Sequence, residues 1–338
     1  MDISPSRILR KIYELLFWKL IKKIFPNSTY DYFRSYINYH ETRHRIKKAV
    51  MKYKDSQINI FLTFSFSSLD LIGKPIVLFG DWTYDHYFDY FENREPGPFE
   101  KGAVLRENRQ IENADLVFPL FPGVTEYMKD HYKNDKIFYL GNVINSLIHA
   151  SEEIILEKKS NSYSLLFIGD IKYLEGAKSL IKAFDILKKK YCNLSLDIVG
   201  MTSKDFESLP SGVICHGFLN KGVEKERKEY YQLLENAKVF INTTPKWGAF
   251  SASIEAMYFY NPVIVTDYNE FIETFGNEIG FGIYCKDHSV ESLCLAIENI
   301  LHNKDYATLC SNAHFAVKDF TWNAYIDKML KIMKILVE

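Results

Sequence analysis

The first fifty residues carry apolar side chains at the three- and four-residue spacing of amphipathic helices. This pattern predicts one helix over residues 7–25 and, after Pro26, a second, tyrosine-rich helix over residues 30–53. One face of the first helix is apolar and the opposite face is basic, through Leu9, Tyr13, Leu16, Leu20 and Ile24 on one side and Arg7, Lys11 and Lys22 on the other. Such a helix either packs on its own domain or lies on an anionic membrane surface.

From Ile58 onward, short β-branched runs alternate with helical patterns. Strands are predicted over residues 58–62, 74–79, 115–119, 136–140, 164–168, 194–200, 213–216, 239–242 and 263–265. Helices are predicted over residues 99–113, 123–132, 177–191, 225–236, 253–257, 290–302, 306–316 and 324–337. Strands that alternate with helices of this length predict parallel sheets in both halves of the chain. Residues 146–163 are rich in Glu, Lys, Ser and Asn, which predicts a linker between the halves.

The composition is that of a globular protein, with 47% hydrophobic and 25% charged residues among 338. A net charge of −1 argues against bulk attraction to nucleic acid, but residues 1–55 hold thirteen Lys/Arg against five Asp/Glu, a local charge of +8. No apolar run approaches the roughly 18–20 residues of a membrane span, and no cleavable signal peptide is recognisable. The five cysteines lack the spacing of a disulfide frame or a zinc site. We therefore expect a cytoplasmic chain, with residues 7–25 as the candidate contact to the inner face of the membrane.

Acidic and aromatic residues follow the strand predicted at 74–79. Asp81 comes directly after this strand, and His86 lies between further carboxylates in the stretch that ends at Phe91. Ligands collect beyond the carboxyl ends of strands in open α/β sheets. A histidine near carboxylates can act as a general base or stabilise developing charge, while Asp81 is equally suited to cap the following helix.

Residues 247–267 combine a glycine-containing turn, a short helix, the helix-ending Asn261-Pro262 pair and a buried strand. A turn that opens a helix beside a parallel strand is suited to bind an anion, because free N–H groups and the helix dipole point to the same place. Glu255 lies about one turn, ~5–6 Å, further along this helix. Its carboxylate could accept hydrogen bonds from sugar hydroxyls while phosphates sit at the helix start. The alternative is a loop, a helix and a core strand with an exposed glutamate.

Several short segments, taken in order, resemble the glycosyltransferases of the GT-B fold, most closely family 4. Residues 141–144 resemble the family's turn before the hinge, residues 166–169 with Gly176 its first donor-domain strand and following loop, and residues 196–200 its L-x-I-V-G strand. Residues 217–219 resemble the segment that contacts the base, and residues 253–257 with 261–264 the helix and strand that hold the donor. Residues 320–322 resemble the final crossing toward the first domain.

The resemblance implies an α/β fold of two Rossmann-like domains with parallel sheets facing a cleft. Residues 1–145 would form the acceptor-side domain, with a helical extension over residues 1–55, and residues 164–318 would form the nucleotide-sugar domain. Residues 319–338 would be a helix that crosses back to the first domain.

The resemblance also implies transfer of a sugar from a nucleotide-sugar donor, with retained configuration, to a glycan or polyprenyl- or other lipid-linked acceptor in bacterial surface polysaccharide or lipopolysaccharide assembly. Asp81 or His86 would face the reacting sugar, and Glu255 would bind the donor ribose. The expected donor-binding residues are Gly169, Lys172, Gly217, Phe218, Leu219, Lys246, Trp247, Gly248, Ala249, Phe250, Ser251 and Glu255. No cofactor and no metal are expected, since the chain has no Asp-x-Asp pair to hold a divalent ion.

The chain departs from the family's pattern in three respects. Trp247 stands where a first glutamate is usual, and Ala249 and Ser251 replace common glycines. Asp170 and Glu175 stand where a basic pair would contact the donor diphosphate, and two acids there are unfavourable unless cations compensate. Lys172, Lys178 and Lys246 are the nearby cations. Two alternatives follow: a GT-B subunit that binds a partner enzyme or glycan without catalysis, or a relative that epimerises or hydrolyses a nucleotide sugar.

Overall fold

The computed structural model describes residues 6–71, 73–146, 148, 151–244, 250–287 and 289–337. The chain divides into two compact units. The first comprises residues 1–141 together with residues 325–338, and the second comprises residues 142–324. Among the described helices, none is both long enough and apolar enough to cross a bilayer.

The first unit contains a parallel sheet with strand order β1-β2-β3. Its strands are β1 (Asn59–Phe61), β2 (Ile76–Gly80) and β3 (Leu116–Pro119). The helices are α1 (Arg7–Tyr13), α2 (Lys19–Ile24), α3 (Tyr36–Lys52), α4 (Tyr84–Tyr87), α5 (Pro98–Glu112) and α6 (Pro122–His131). The end of α14 (Trp322–Met333) also belongs to this unit, and Met333 packs against Val77, Leu116 and Phe118 of the sheet.

Two predictions for the first unit need correction. The helix predicted over residues 30–53 begins at Tyr36, because the Ser35 hydroxyl accepts a hydrogen bond from Asn38 N at 3.1 Å and caps it there. The strand predicted over residues 136–140 is a single parallel bridge, between Ile137 and Val117.

A π-helical turn, Glu14–Trp18, joins α1 to α2. A π-helical turn carries extra residues compared with an α-helical one, so it rotates the faces of the two helices relative to each other. Tyr13 and Ile21 are buried, whereas most of the predicted apolar face, including Leu16 (59% exposed) and Leu20 (55% exposed), is on the surface. The result is an exposed apolar surface flanked by basic residues.

Glu100 on α5 joins the N-terminal segment to the rest of the first unit. Its buried carboxylate accepts hydrogen bonds from Thr29 N at 2.6 Å, Gly97 N at 2.7 Å and the Arg94 guanidinium at 2.8 and 3.0 Å. Burial alone would raise the pKa of Glu100, but these hydrogen bonds outweigh it and lower the pKa to about 2. The carboxylate therefore stays charged and fixes the chain that follows α2.

The second unit contains a parallel sheet with strand order β6-β5-β4-β7-β8-β9. Its strands are β4 (Ser164–Ile168), β5 (Ser195–Val199), β6 (Val213–Gly217), β7 (Val239–Asn242), β8 (Val263–Val265) and β9 (Gly282–Tyr284). Its helices are α7 (Glu152–Ser160), α8 (Leu174–Lys188), α9 (Glu224–Asn236), α10 (Ser251–Tyr258), α11 (Asn269–Phe275), α12 (Val290–Leu301), α13 (Tyr306–Val317) and the start of α14. The strands β4, β5 and β7 pack against α8 and α12 through fully buried aliphatic and aromatic side chains.

The segment predicted as a linker, residues 146–163, contains helix α7. Its charged composition suggested a solvated connection, but Lys159 is fully buried. The Lys159 ammonium donates to Leu234 O at 2.8 Å, Ala237 O at 2.9 Å and Asn261 Oδ1 at 2.7 Å. Burial lowers the pKa of Lys159 to about 7. The helix is thus fixed to the second unit by a lysine whose three donors are all used.

Candidate functional site

The sheet of the second unit has its topological switch point between β4 and β7. The chain leaves β4 for β5 and β6 on one side, and then returns to β7, β8 and β9 on the other side. The loops after β4 and β7 therefore diverge and leave a crevice at their carboxyl ends, which is where ligands bind in sheets of this kind.

Glycines allow the loops at this crevice to pack closely. A Cβ on Gly176 would lie 2.4 Å from Thr244 Oγ1, and one on Gly200, whose φ is +98°, would lie 2.5 Å from Gly169 O. Larger residues at these positions would force the loops after β4, β5 and β7 apart. Gly169, predicted to bind the donor, is thus at the mouth of the crevice.

The loop after β7 leads into α10, which begins at Ser251 without a side-chain cap. Ser251 is exposed, and Phe250 before it is buried. Two buried polar atoms on either side of this loop in sequence, Ser253 Oγ and Asn242 Nδ2, have no hydrogen-bond partner among the described residues, which omit 245–249. An uncapped helix start next to unsatisfied polar groups is a suitable place for an anionic ligand.

Glu255 lies one turn into α10, and its side chain is 7% exposed. Its carboxylate oxygens accept hydrogen bonds from Lys221 Nζ at 2.8 and 3.0 Å, and one of them also accepts from Tyr230 OH at 2.8 Å. Burial raises the pKa of Glu255, and the lysine and the tyrosine oppose that rise. The alternative left open by the sequence, an exposed glutamate on this helix, is therefore wrong, and the buried carboxylate needs a functional or structural reason.

Sequence reasoning missed Lys221 and Tyr230. Lys221 follows the predicted Gly217–Leu219 segment by two residues, in the loop that connects β6 to α9. A lysine in a loop beyond the carboxyl end of a strand was the available signal, but nothing in the sequence linked it to a glutamate 34 residues away.

The loop after β6 carries the residues predicted to meet the nucleotide base. Gly217 has a φ of +67°, and its N–H donates to Met201 O at 2.9 Å. The next residue, Phe218, is 81% exposed, and Leu219 is half-buried. A free aromatic ring at this edge of the sheet is available to contact a planar ligand.

The loop after β4 begins a 3₁₀ turn at Ile171–Tyr173. Asp170 caps this turn, because its Oδ1 accepts from Lys172 N at 2.9 Å. Asp170, Lys172 and Glu175 are all exposed. The predicted residues Lys246, Trp247, Gly248 and Ala249 lie outside the described residues. Within the described ranges, no three His, Cys, Asp or Glu side chains are grouped as metal ligands.

In the first unit, Asp81 and His86 follow β2 as predicted. Asp81 is exposed and accepts a hydrogen bond from Trp82 N at 2.8 Å. His86 is buried, with its ring stacked on Trp82 at 4.7 Å and near Tyr127 at 4.1 Å between centroids. Burial lowers the pKa of His86 to about 4, against the opposing charge of Asp89. The imidazole is therefore neutral near pH 7, and within the described part of the chain its Nδ1 has no hydrogen-bond partner.

Comparison with known proteins supports a single class. Residues 150–316 match the family model described as glycosyl transferases group 1. An uncharacterized glycosyltransferase of Haemophilus influenzae is 20% identical over 272 residues, which cover 79% of this chain and 72% of that protein.

Two solved structures are similar to the whole chain. Sucrose-phosphate synthase of Thermosynechococcus elongatus has a TM-score of 0.69 at 16% identity, over 90% of this chain and 79% of its own. HepE of Anabaena, in complex with UDP-glucose, has a TM-score of 0.65 at 15% identity, over 87% of this chain and 82% of its own. These similarities confirm the predicted α/β fold of two Rossmann-like domains with parallel sheets.

Proposed function

We propose that this chain moves a sugar from a nucleotide-sugar donor to a glycan or lipid-linked acceptor. The premise is that the chain has the GT-B fold and matches the group 1 glycosyl transferases over residues 150–316. The observation that carries the proposal is the start of α10. An uncapped helix start, two unsatisfied buried polar atoms and a buried carboxylate lie together at the carboxyl edge of the sheet.

Each part of this edge has a role in donor binding. The N–H groups of the first turn of α10, beginning at Ser251, face the donor phosphates, and the helix dipole favours their charge. Glu255 accepts hydrogen bonds from the ribose hydroxyls about one turn, ~6 Å, away. Phe218 and the backbone of Gly217 meet the base. The complex of HepE with UDP-glucose supports a uridine diphosphate sugar as the first donor to test.

Transfer requires that the charge developing on the departing diphosphate be stabilised. The α10 N-terminus supplies fixed dipoles for that purpose, and Lys172, exposed in the loop after β4, supplies a cation. We assign the acceptor side to the first unit, where Asp81 is exposed after β2 and the neutral imidazole of His86 has no partner for its Nδ1 among the residues that the structure describes. The proposal includes retained anomeric configuration and no requirement for a divalent ion.

The surface of α1 and α2 supports a lipid-linked acceptor. Leu16, Leu20 and their exposed apolar neighbours lie within a segment of net positive charge. Apolar side chains among lysines and arginines bind anionic membrane surfaces. We therefore propose that this segment brings the chain to the inner face of a membrane, where surface polysaccharide or lipopolysaccharide is assembled.

The experiment is a transfer assay with UDP-[¹⁴C]glucose and other labelled nucleotide sugars, using bacterial membranes as the source of acceptors. Label should move into the lipid or glycan fraction as the nucleoside diphosphate is released, at the same rate in EDTA. Glu255→Gln should lower the rate at least about 100-fold at low donor concentration, because a hydrogen bond to a charged partner is lost while the helix remains. Glu291→Gln, on the exposed face of α12, is the matched control.

Two outcomes would contradict transfer. Turnover of the donor at the same rate without membranes would indicate a hydrolase if the nucleotide is released, or an epimerase if an isomeric nucleotide sugar forms. No release with any donor, together with co-purification of a second protein, would indicate a subunit that binds without catalysis. The exposed acids Asp170 and Glu175 at the crevice favour this last alternative.

A further inference from the structure

The carboxylate of Glu255 already has two hydrogen-bond partners within the protein. Lys221 Nζ contacts both of its oxygens, and Tyr230 OH contacts one of them. The side chain of Glu255 is 7% exposed and that of Lys221 is 30% exposed, so the ion pair is largely withdrawn from water. Lys221 Nζ also lies 3.4 Å from Asn145 O, a much weaker contact.

Three of the about four acceptor positions of this carboxylate are thus taken, so two ribose hydroxyls cannot both bind Glu255 unless Lys221 moves. The two ribose hydroxyls are neutral donors that need the same oxygens. If they displaced the ammonium without offering it another partner, a buried carboxylate would keep only neutral hydrogen bonds and a cation would be left unpaired. Breaking a buried ion pair in this way is strongly unfavourable.

A donor phosphate supplies the missing partner. The α10 N-terminus, where the phosphates are proposed to bind, is about one helical turn, ~6 Å, from Glu255. Lys221 has a flexible four-carbon stem and a point charge that suits phosphate. It stands on the Asn220–Gly222 part of the loop, whose two flanking residues are exposed. A rotation of this side chain is sufficient to carry the ammonium from the carboxylate toward a diphosphate.

We propose that Lys221 is a specificity-determining residue that exchanges partners: it pairs with Glu255, as the structure shows, and moves to the donor diphosphate when ribose takes Glu255. The inference rests on the proposed function, because it needs the donor on this edge of the sheet. The site would therefore select nucleotides over nucleosides. A nucleotide offers Lys221 a phosphate when its ribose displaces the ammonium from Glu255, whereas a nucleoside offers no such partner.

The experiment is a calorimetric titration of the wild type and Lys221→Met with UDP and with uridine, or with the corresponding pair for whichever nucleotide the protein binds. In the wild type, UDP should bind at least about 100-fold more tightly than uridine. In Lys221→Met, UDP should weaken at least about tenfold, while uridine binds as well as before or more tightly. Lys228→Met, which removes an exposed lysine of α9 paired with Glu224, should match the wild type.

Lys221→Gln is the second variant, because its amide still donates to Glu255 but carries no charge. This variant replaces Lys221→Met if the melting temperature shows that Lys221→Met does not fold. It should show the same fall in the ratio of the affinity for UDP to the affinity for uridine. An unchanged ratio in both variants would overturn the inference and leave Lys221 as a structural partner of Glu255, while the proposed function stands. A wild type that binds no nucleotide would overturn both.

Discussion

His216 lies between two carboxylates in the second unit. Its Nε2 is 2.8 Å from Asp197 Oδ1, and its Nδ1 is 3.0 Å from Glu229 Oε1. The hydrogen bond to Asp197 raises the pKa of His216 above its usual 6.5, against burial and with the help of Glu229. Because the folded state binds the proton more tightly, this stabilisation is complete below about pH 6.5 and is lost as the pH rises through the folded-state pKa.

We predict that His216→Asn removes about 1.5–3 kcal/mol of unfolding free energy at pH 6, the range for hydrogen bonds to charged groups, and less at pH 8.5. The measurement is the urea midpoint of each protein at both pH values. His44→Asn, at an exposed position on α3, should shift neither midpoint. An equal loss at both pH values would show that the charge on the imidazole does not contribute.

At the same scale, Glu255 shows what could be predicted from the sequence. Its place one turn into a helix followed from spacing alone. Its burial and its pairing with Lys221 did not, because they depend on how α9 and the loop after β6 pack. His86 was singled out for its acidic neighbours. In the structure, burial against Trp82 and Tyr127 keeps its imidazole neutral instead. Such ring stacking cannot be deduced from composition.

Among the elements, the strands of the second unit were the most predictable. Five of them, β4 to β8, were placed within a residue of their observed bounds, because buried parallel strands are short, β-branched and bounded by turn residues. Helix α7 was missed because its charged composition suggested a solvated linker. The burial of Lys159 depends on contacts to α9 and Asn261, which are distant in sequence. The π-helical turn before α2 was missed because a single extra residue leaves no clear mark on the hydrophobic pattern.

The same turn gives α1 and α2 their exposed apolar surface, and a prediction follows from it. The double variant Leu16→Glu/Leu20→Glu should bind phosphatidylglycerol-containing vesicles at least about tenfold more weakly than the wild type, in a sedimentation assay. Both leucines are exposed, so the melting temperature should change little. Burial of apolar area and electrostatic attraction to anionic lipid both contribute to membrane binding. Salt screens the electrostatic attraction, so raising the salt concentration should also weaken binding of the wild type.

Leu105→Glu is the matched control, because Leu105 is 69% exposed on α5 of the same unit. It should bind vesicles like the wild type. Equal binding by the double variant and the wild type, or equal binding to phosphatidylcholine vesicles, would show that this surface is not the membrane contact.

At the scale of the whole molecule, the positive charge and the candidate donor-binding features lie in different parts of the chain. The positive charge is concentrated in residues 1–55, and the remaining residues carry a net −9. The switch point, the uncapped helix and Glu255 all belong to the second unit. The two-unit organisation could be predicted from the alternation of strands and helices, whereas the return of residues 325–338 to the first unit came from family resemblance alone. We therefore propose that the donor binds a site that the second unit builds from its own residues.

The most direct test of that claim is a thermal-shift screen with UDP, GDP, ADP, TDP, CMP and their sugars, on the wild type and Glu255→Gln. A ligand at about 100 times its Kd adds about 2.7 kcal/mol to the stability of the native state, which should raise the melting temperature by roughly 5–10 °C. We predict such a shift with one nucleotide and its sugars, unchanged in Glu291→Gln and less than about 1 °C in Glu255→Gln. No shift with any of these ligands, or an equal shift in the Glu255→Gln variant, would contradict the assignment of this site.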